Sequence, residues 1–190
     1  MLPLLKTEIE TDSSFLNIYS FENEGLLHNC VSDIKNKLIK NSYRKVGFFS
    51  DEFNGMYLYG KLKIVQSQPL SESLKILLNM INGIFETDYN GILVNEYENG
   101  NYFIGRHRDS KNHTDNGVLI ISYGATRTFN VYDNQINKIK QIPLIHGQVL
   151  HMGGDFQKEF EHELKKEPEI MEKRYSLSFH KYKNLGLYDV

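Results

Sequence analysis

The chain has 190 residues, 40% of them hydrophobic and 24% charged, the size and composition of one globular domain rather than two. Its 22 Lys and Arg against 24 Asp and Glu leave a net charge of −2, so no global field points to a polyanionic partner and any such contact needs a local basic patch. The single cysteine, Cys30, excludes an internal disulfide and any zinc motif built on paired cysteines.

The opening MLPLLKTEIE is too short an apolar run for a signal peptide, and nowhere do about 18 apolar residues follow one another. An intracellular chain, cytoplasmic or nuclear, with reduced thiol and no membrane span, is expected. No oligomerisation signal is evident, so a monomer is expected. Residues 1–24 carry scattered apolar side chains without clear periodicity. Residues 25–39 place Leu26, Leu27, Cys30, Ile34 and Leu38 at near-helical spacing and predict a helix. Residues 41–69 interleave basic and aromatic side chains and read as strands joined by a long loop. A second helix is predicted at SESLKILLNMINGIF, capped by Ser71 or Ser73, with Leu74, Leu77, Leu78, Ile81 and Ile84 forming its core stripe. From residue 91 the pattern changes to short β-branched and aromatic runs: GILVNEY, GVLIISYG, RTFNVYD, GQVLHM and RYSLSFHKY. Helices first and strands afterwards predict an α+β fold, a sandwich or jelly roll with helices packed on one face.

The run GRHRDS holds His107 and Asp109 one residue apart, a spacing that on a strand points both side chains to one face. Imidazole, carboxylate and one more distant His make the facial triad of non-haem Fe(II) oxygenases, and His162 is the candidate third ligand. Taken alone, the pair reads first as two polar residues at a strand end. Arg174 opens the alternating run RYSLSFH, so Arg174, Ser176, Ser178 and His180 share a face opposite Tyr175, Leu177 and Phe179. An inward-facing guanidinium needs an anion, and its fork matches the distal carboxylate of a dicarboxylate co-substrate; the alternative is a surface salt bridge. Asn95 and Tyr97 offer hydrogen bonds to a common strand face, or form an edge-strand polar pair.

The order NEY, HRD, a Gly-bounded strand pair, HG, MGG, a lone His and RYSLSF resembles the AlkB-type Fe(II) and 2-oxoglutarate dioxygenases over roughly residues 91–182. The resemblance implies a double-stranded β-helix in which His107, Asp109 and His162 hold Fe(II). It implies that Arg174 pairs with 2-oxoglutarate, with Asn95, Tyr97, Ser176 and His180 around the same co-substrate. The match before residue 91 is looser: GMYLYGK looks like the family's nucleotide-recognition segment, placing Tyr59 to stack on a flipped base with Tyr57 beside it, and Arg44 as a contact to a nucleic-acid backbone. Further candidate phosphate contacts are Lys45, Lys61, Lys63, Arg106, Arg108 and Lys111. On this reading 1–190 is one domain, with 1–69 an N-terminal extension carrying the nucleotide-recognition segment and 70–190 the dioxygenase core.

The implied activity is oxidative demethylation of N-alkylated bases in DNA or RNA, single-stranded or with a flipped base, releasing succinate, CO2 and formaldehyde. The alternatives are a related oxygenase acting on tRNA or protein, a metal-dependent hydrolase, or a non-catalytic nucleic-acid-binding module on a degenerate oxygenase fold. Two residues depart from the pattern. Ser110 and Lys111 follow Asp109 where base-repairing members carry an acidic residue, and a lysine there would repel a cationic base by about 1 to 4 kcal/mol at about 4 Å; Asp115 is a possible substitute. His180 stands where the family commonly has a second Arg, and it brings only partial charge. His146, in a turn before Gly147, and His151, on a strand, read as structural. His28, His113 and the acidic run 159–169 read as solvated faces.

Overall fold

The computed structural model describes residues 2–52, 55–59, 63–109, 117–135 and 137–182, of which 56–59, 63 and 64 by backbone alone. In chain order the elements are β1 (Leu4–Glu10), β2 (Ser14–Ser20), α1 (Glu24–Ile34), β3 (Ile39–Asn41), β4 (Arg44–Phe49), β5 (Met56–Tyr59), β6 (Lys63–Gln68) and α2 (Glu72–Phe85). They continue as β7 (Gly91–Tyr97), β8 (Ile104–His107), β9 (Val118–Gly124), β10 (Arg127–Tyr132), β11 (Lys138–Leu144), β12 (Gln148–Gly154), α3 (Phe156–Glu159), β13 (Glu161–Leu164) and β14 (Arg174–His180). The major sheet runs β1-β2-β12-β9-β14-β7-β4-β6-β5 with β3 beside β4; the minor sheet runs β11-β10-β13-β8. The two sheets form a double-stranded β-helix core, as expected. No helix among the described residues is long and apolar enough to cross a membrane.

Alternation along the strands divides the side chains between two layers. On β14, Tyr175, Leu177 and Phe179 point into a cluster with Leu27, Ile34, Leu74 and Leu77 from α1 and α2, so both helices cover the outer face of the major sheet. Each such fully buried aliphatic side chain contributes about 1.5 to 3 kcal/mol of transfer free energy. Between the sheets, Leu16, Ile18, Val118, Leu150 and Met152 meet Phe129, Val131, Ile142 and Leu144. That inter-sheet space is where Arg174, Ser176, Ser178 and His180 project.

Several expectations need correction. Residues 4–20 are two strands, and β2 pairs with β12 over seven positions from Gln148↔Ser20 to Gly154↔Ser14. Apolar side chains on both faces of FLNIY hide the two-residue period, although Leu16 and Ile18 are buried as a strand alternation requires. Strands therefore precede the helices as well as follow them. The first helix ends at Ile34, before the polar run Lys35–Lys37, and Ile39 belongs to β3. In α2 the cap is Ser71, whose Oγ accepts from the Leu74 N–H, and the stripe is buried through Ile81 while Ile84 is only half-buried.

Candidate active site

His107 and His162 are direct cross-strand partners on β8 and β13. Between His162↔His107 and Leu164↔Ile104 the register shifts, three steps on β8 facing two on β13, so Ile104 and His107 both reach the inter-sheet cavity despite their odd spacing. Gly105 lies within this bulge, and its carbonyl is 2.9 Å from His107 Nδ1. A carbonyl only accepts, so Nδ1 carries the proton and the Nε2 lone pair is left for a cation. Asp109 lies just past the end of β8, and its position there is set by contacts rather than by strand alternation. Its carboxylate oxygens are 3.8 Å from His107 Nε2 and 3.6 Å from His162 Nε2. The three ligand atoms lie within 4.8 Å of one another, close enough to share one metal ion. His162 is buried against Phe129, ring centroids 5.2 Å apart. Burial pushes its imidazole down to about 3, with His107 adding to the effect, so it stays neutral and keeps its lone pair.

The opposite wall is built by β7 and β14. Tyr97 faces Arg174 and Asn95 faces Ser176 across their ladder, and all four side chains line the cavity. Arg174 lies 5.5 Å above the Tyr97 ring, and its Nη2 donates to Ser122 Oγ at 2.9 Å. Its Nε has no hydrogen-bond partner among the described residues, nor does the guanidinium meet a carboxylate there. Burial pushes Arg174 down to about 10, which leaves it cationic at neutral pH. Arg127 is equally buried yet fully paired, to Glu167 Oε2 at 3.1 Å and to the carbonyls of Asn99, Tyr102 and Lys165. A buried cation without its anion costs several kcal/mol, so Arg174 fits a seat for a ligand carboxylate. An imidazole–carboxylate–imidazole cluster on the minor sheet therefore faces a guanidinium on the major sheet across one cavity.

The other predicted residues are distributed as follows. His180 is buried and lines the same cavity. Arg44, expected to reach a nucleic-acid backbone, is 6% exposed, and its Nε donates to Asn95 Oδ1 at 2.7 Å. It braces the cavity wall instead of projecting to solvent. Arg106 and Arg108 both pair with Glu161, at 3.3 and 3.0 Å, and Lys45 pairs with the buried Glu96 at 2.7 Å. Tyr57 and Tyr59 fall on β5, but their side chains lie outside the described residues, as do the side chain of Lys63 and all of Lys61, Lys111, His113 and Asp115.

His146 and His151 lie outside the cluster: His146 Nδ1 accepts from the Gly124 N–H, and His151 packs edge-on against Phe15 and Phe85. The run 159–169 is not a solvated face. Glu163 accepts from Asn130 and Tyr132, and Glu167 is buried against Arg127. Sequence reasoning also missed Gln157, which touches Asp109 from α3; its only signal was a polar residue between Phe156 and Phe160 in a short helical turn.

A family model described as the 2OG-Fe(II) oxygenase superfamily matches residues 21–181, beginning just after β2. Human DNA oxidative demethylase ALKBH2 is 26% identical over 125 residues, 60% of this chain and 48% of that protein. Human alpha-ketoglutarate-dependent dioxygenase alkB homolog 3 is 28% identical over 135 residues, 65% of this chain and 47% of that protein. The chain thus spans about half the length of the curated relatives it matches. Among solved structures, OsALKBH1 superposes with a TM-score of 0.64 at 16% identity, covering 93% of this chain and 100% of that one. A Pseudomonas putida prolyl-4-hydroxylase gives a TM-score of 0.57 at 10% identity, covering 89% and 93%. At these identities what the solved structures share with the chain is the fold.

Proposed function

The chain belongs to the 2OG-Fe(II) oxygenase superfamily, and from that premise we propose that it is an AlkB-type oxidative demethylase of N-alkylated bases in DNA or RNA. The observation that carries the reading is the pairing, in one cavity, of a buried guanidinium that meets no carboxylate among the described residues with three side chains that could share a metal ion. His107, Asp109 and His162 would hold Fe(II), and Arg174 would take the distal carboxylate of 2-oxoglutarate in a bidentate grip. Bound together, Fe(II), 2-oxoglutarate and dioxygen supply the oxidising power that hydroxylates an N-methyl carbon, yielding succinate and CO2, after which the hemiaminal releases formaldehyde.

The protein's own part is positional. The Tyr97 ring lies against the Arg174 guanidinium, Arg44 orients Asn95 by donating to its Oδ1, and the Phe129 ring stacks on one face of His162. The nucleic-acid substrate class is supported by the likeness to human ALKBH2, a DNA oxidative demethylase. A hydrolase using the metal alone would leave the Arg174 charge buried without purpose.

The test is anaerobic loading with Fe(II) and 2-oxoglutarate, then air, with succinate and formaldehyde measured with and without a single strand carrying N1-methyladenine or N3-methylcytosine. Both products, dependent on the methylated strand and lost in His107→Ala, are expected. Succinate that needs His107 but not the strand would move the substrate to tRNA or protein, and no succinate at all would leave a binding module.

A further inference from the structure

Gln157 is buried on α3, a helix of one turn that follows β12, and it faces Asp109 from behind. Two hydrogen bonds join them. The backbone N–H of Asp109 donates to Gln157 Oε1 at 2.9 Å, and Gln157 Nε2 donates to Asp109 Oδ2 at 3.3 Å. The amide cannot be turned the other way round, because the Asp109 N–H requires an acceptor and so fixes the oxygen on its side. One side chain thereby holds both the backbone and the carboxylate of a residue that has left the ladder of β8. The same Nε2 also donates to Met152 Sδ at 3.7 Å.

α3 is itself held in place. Glu159 accepts from Thr11 Oγ1 at 3.1 Å and from Ser13 Oγ, and the Asp155 N–H donates to the Ser13 carbonyl at 2.9 Å. These contacts come from the turn between β1 and β2, so the N-terminal hairpin bears on the helix that bears on Asp109.

We propose that Gln157 is a positioning residue for the metal centre: it fixes the Asp109 carboxylate with Oδ1 3.8 Å from His107 Nε2 and with Oδ2, which accepts from the amide, 3.6 Å from His162 Nε2. The inference rests on the reading of His107, Asp109 and His162 as a metal site. An aspartate past the end of its strand has no ladder to orient it, so the direction of its carboxylate depends on side-chain contacts such as these. Hydrogen-bonding partners of metal ligands orient them and raise affinity by about 10- to 100-fold.

The test compares the wild-type chain with Gln157→Met and Gln157→Ala. Methionine keeps the volume beside Met152 and deletes both hydrogen bonds to Asp109, so it separates orientation from packing. Mn(II) affinity is measured by electron paramagnetic resonance of the free ion, and the visible spectrum of the Co(II) form reports the ligand geometry. Circular dichroism reports folding of each apo-protein. Expected is a folded Gln157→Met chain whose Mn(II) affinity falls about 10- to 100-fold and whose Co(II) bands shift in position and intensity. A folded Gln157→Met chain with wild-type affinity and wild-type Co(II) bands would overturn the inference while leaving the metal site standing. A wild-type chain that binds neither Mn(II) nor Co(II) would remove the metal-site reading, and this inference with it.

Discussion

His162 stands directly across the ladder from His107, with ring centroids 4.4 Å apart, so the pairing of β8 with β13 is what brings the two imidazoles together. A cation bound there bridges two strands and stabilises the native state by linkage.

Mn(II) at about 100 times its dissociation constant is expected to add about 2.7 kcal/mol, which for a domain of this size raises the melting temperature by roughly 5 to 10 °C. His162→Ala removes the increment. Differential scanning fluorimetry with and without Mn(II) reads it, and an undiminished rise in His162→Ala would show that the metal binds elsewhere.

Arg127 and Arg174 are expected to respond oppositely to the same substitution. Arg127→Met leaves Glu167 buried without its cation and should cost about 3 to 5 kcal/mol. Arg174→Met removes a buried charge that meets no carboxylate among the described residues, so the apo-protein should keep or gain stability while losing its protection by 2-oxoglutarate in the presence of Mn(II). Equal destabilisation by both substitutions in chemical unfolding would mean that Arg174 is structural.

Stability should fall on the acid side. Burial alone would raise the Glu167 carboxyl, but hydrogen bonds from the Thr128 side chain and backbone and from Arg127 outweigh it and hold the group below the ordinary carboxylate range. A folded-state value below the unfolded one, about 4.3, means that this stabilisation is complete above that pH and is lost as pH falls through the lower folded value. Melting curves from pH 7 down to pH 3 should show the loss, and Glu167→Gln should flatten part of it. An acid limb unchanged by the substitution would assign it to other groups.

Gly124 ends β9 with φ +97, opposite Arg174, and a Cβ there would lie 2.3 Å from the Lys173 carbonyl. Gly124→Ala should therefore cost about 1 to 3 kcal/mol in urea unfolding, from the left-handed backbone and the clash together. A neutral result would mean that the turn before Arg174 yields easily.

The local pattern alone determined the parts of the site that lie on regular strands. RYSLSFH and NEY alternate with a period of two, and that period puts Arg174, Ser176 and His180 on one face of their strand and Asn95 and Tyr97 on one face of theirs, while the pairing of β14 with β7 joins the two faces into one wall. The choice of His162 as third ligand rests on the order of motifs, since nothing within EHEL distinguishes it from the chain's six other histidines. Tertiary structure decided the rest. The bulge at Gly105, the amide of Gln157 behind Asp109 and the burial of Glu167 against Arg127 all depend on which distant segments meet. The same holds for β1 and β2, whose mixed apolar faces acquire a direction only when β2 pairs with β12. Strand pairing and buried ion pairs are contacts between residues far apart along the chain, so no window of sequence contains both partners.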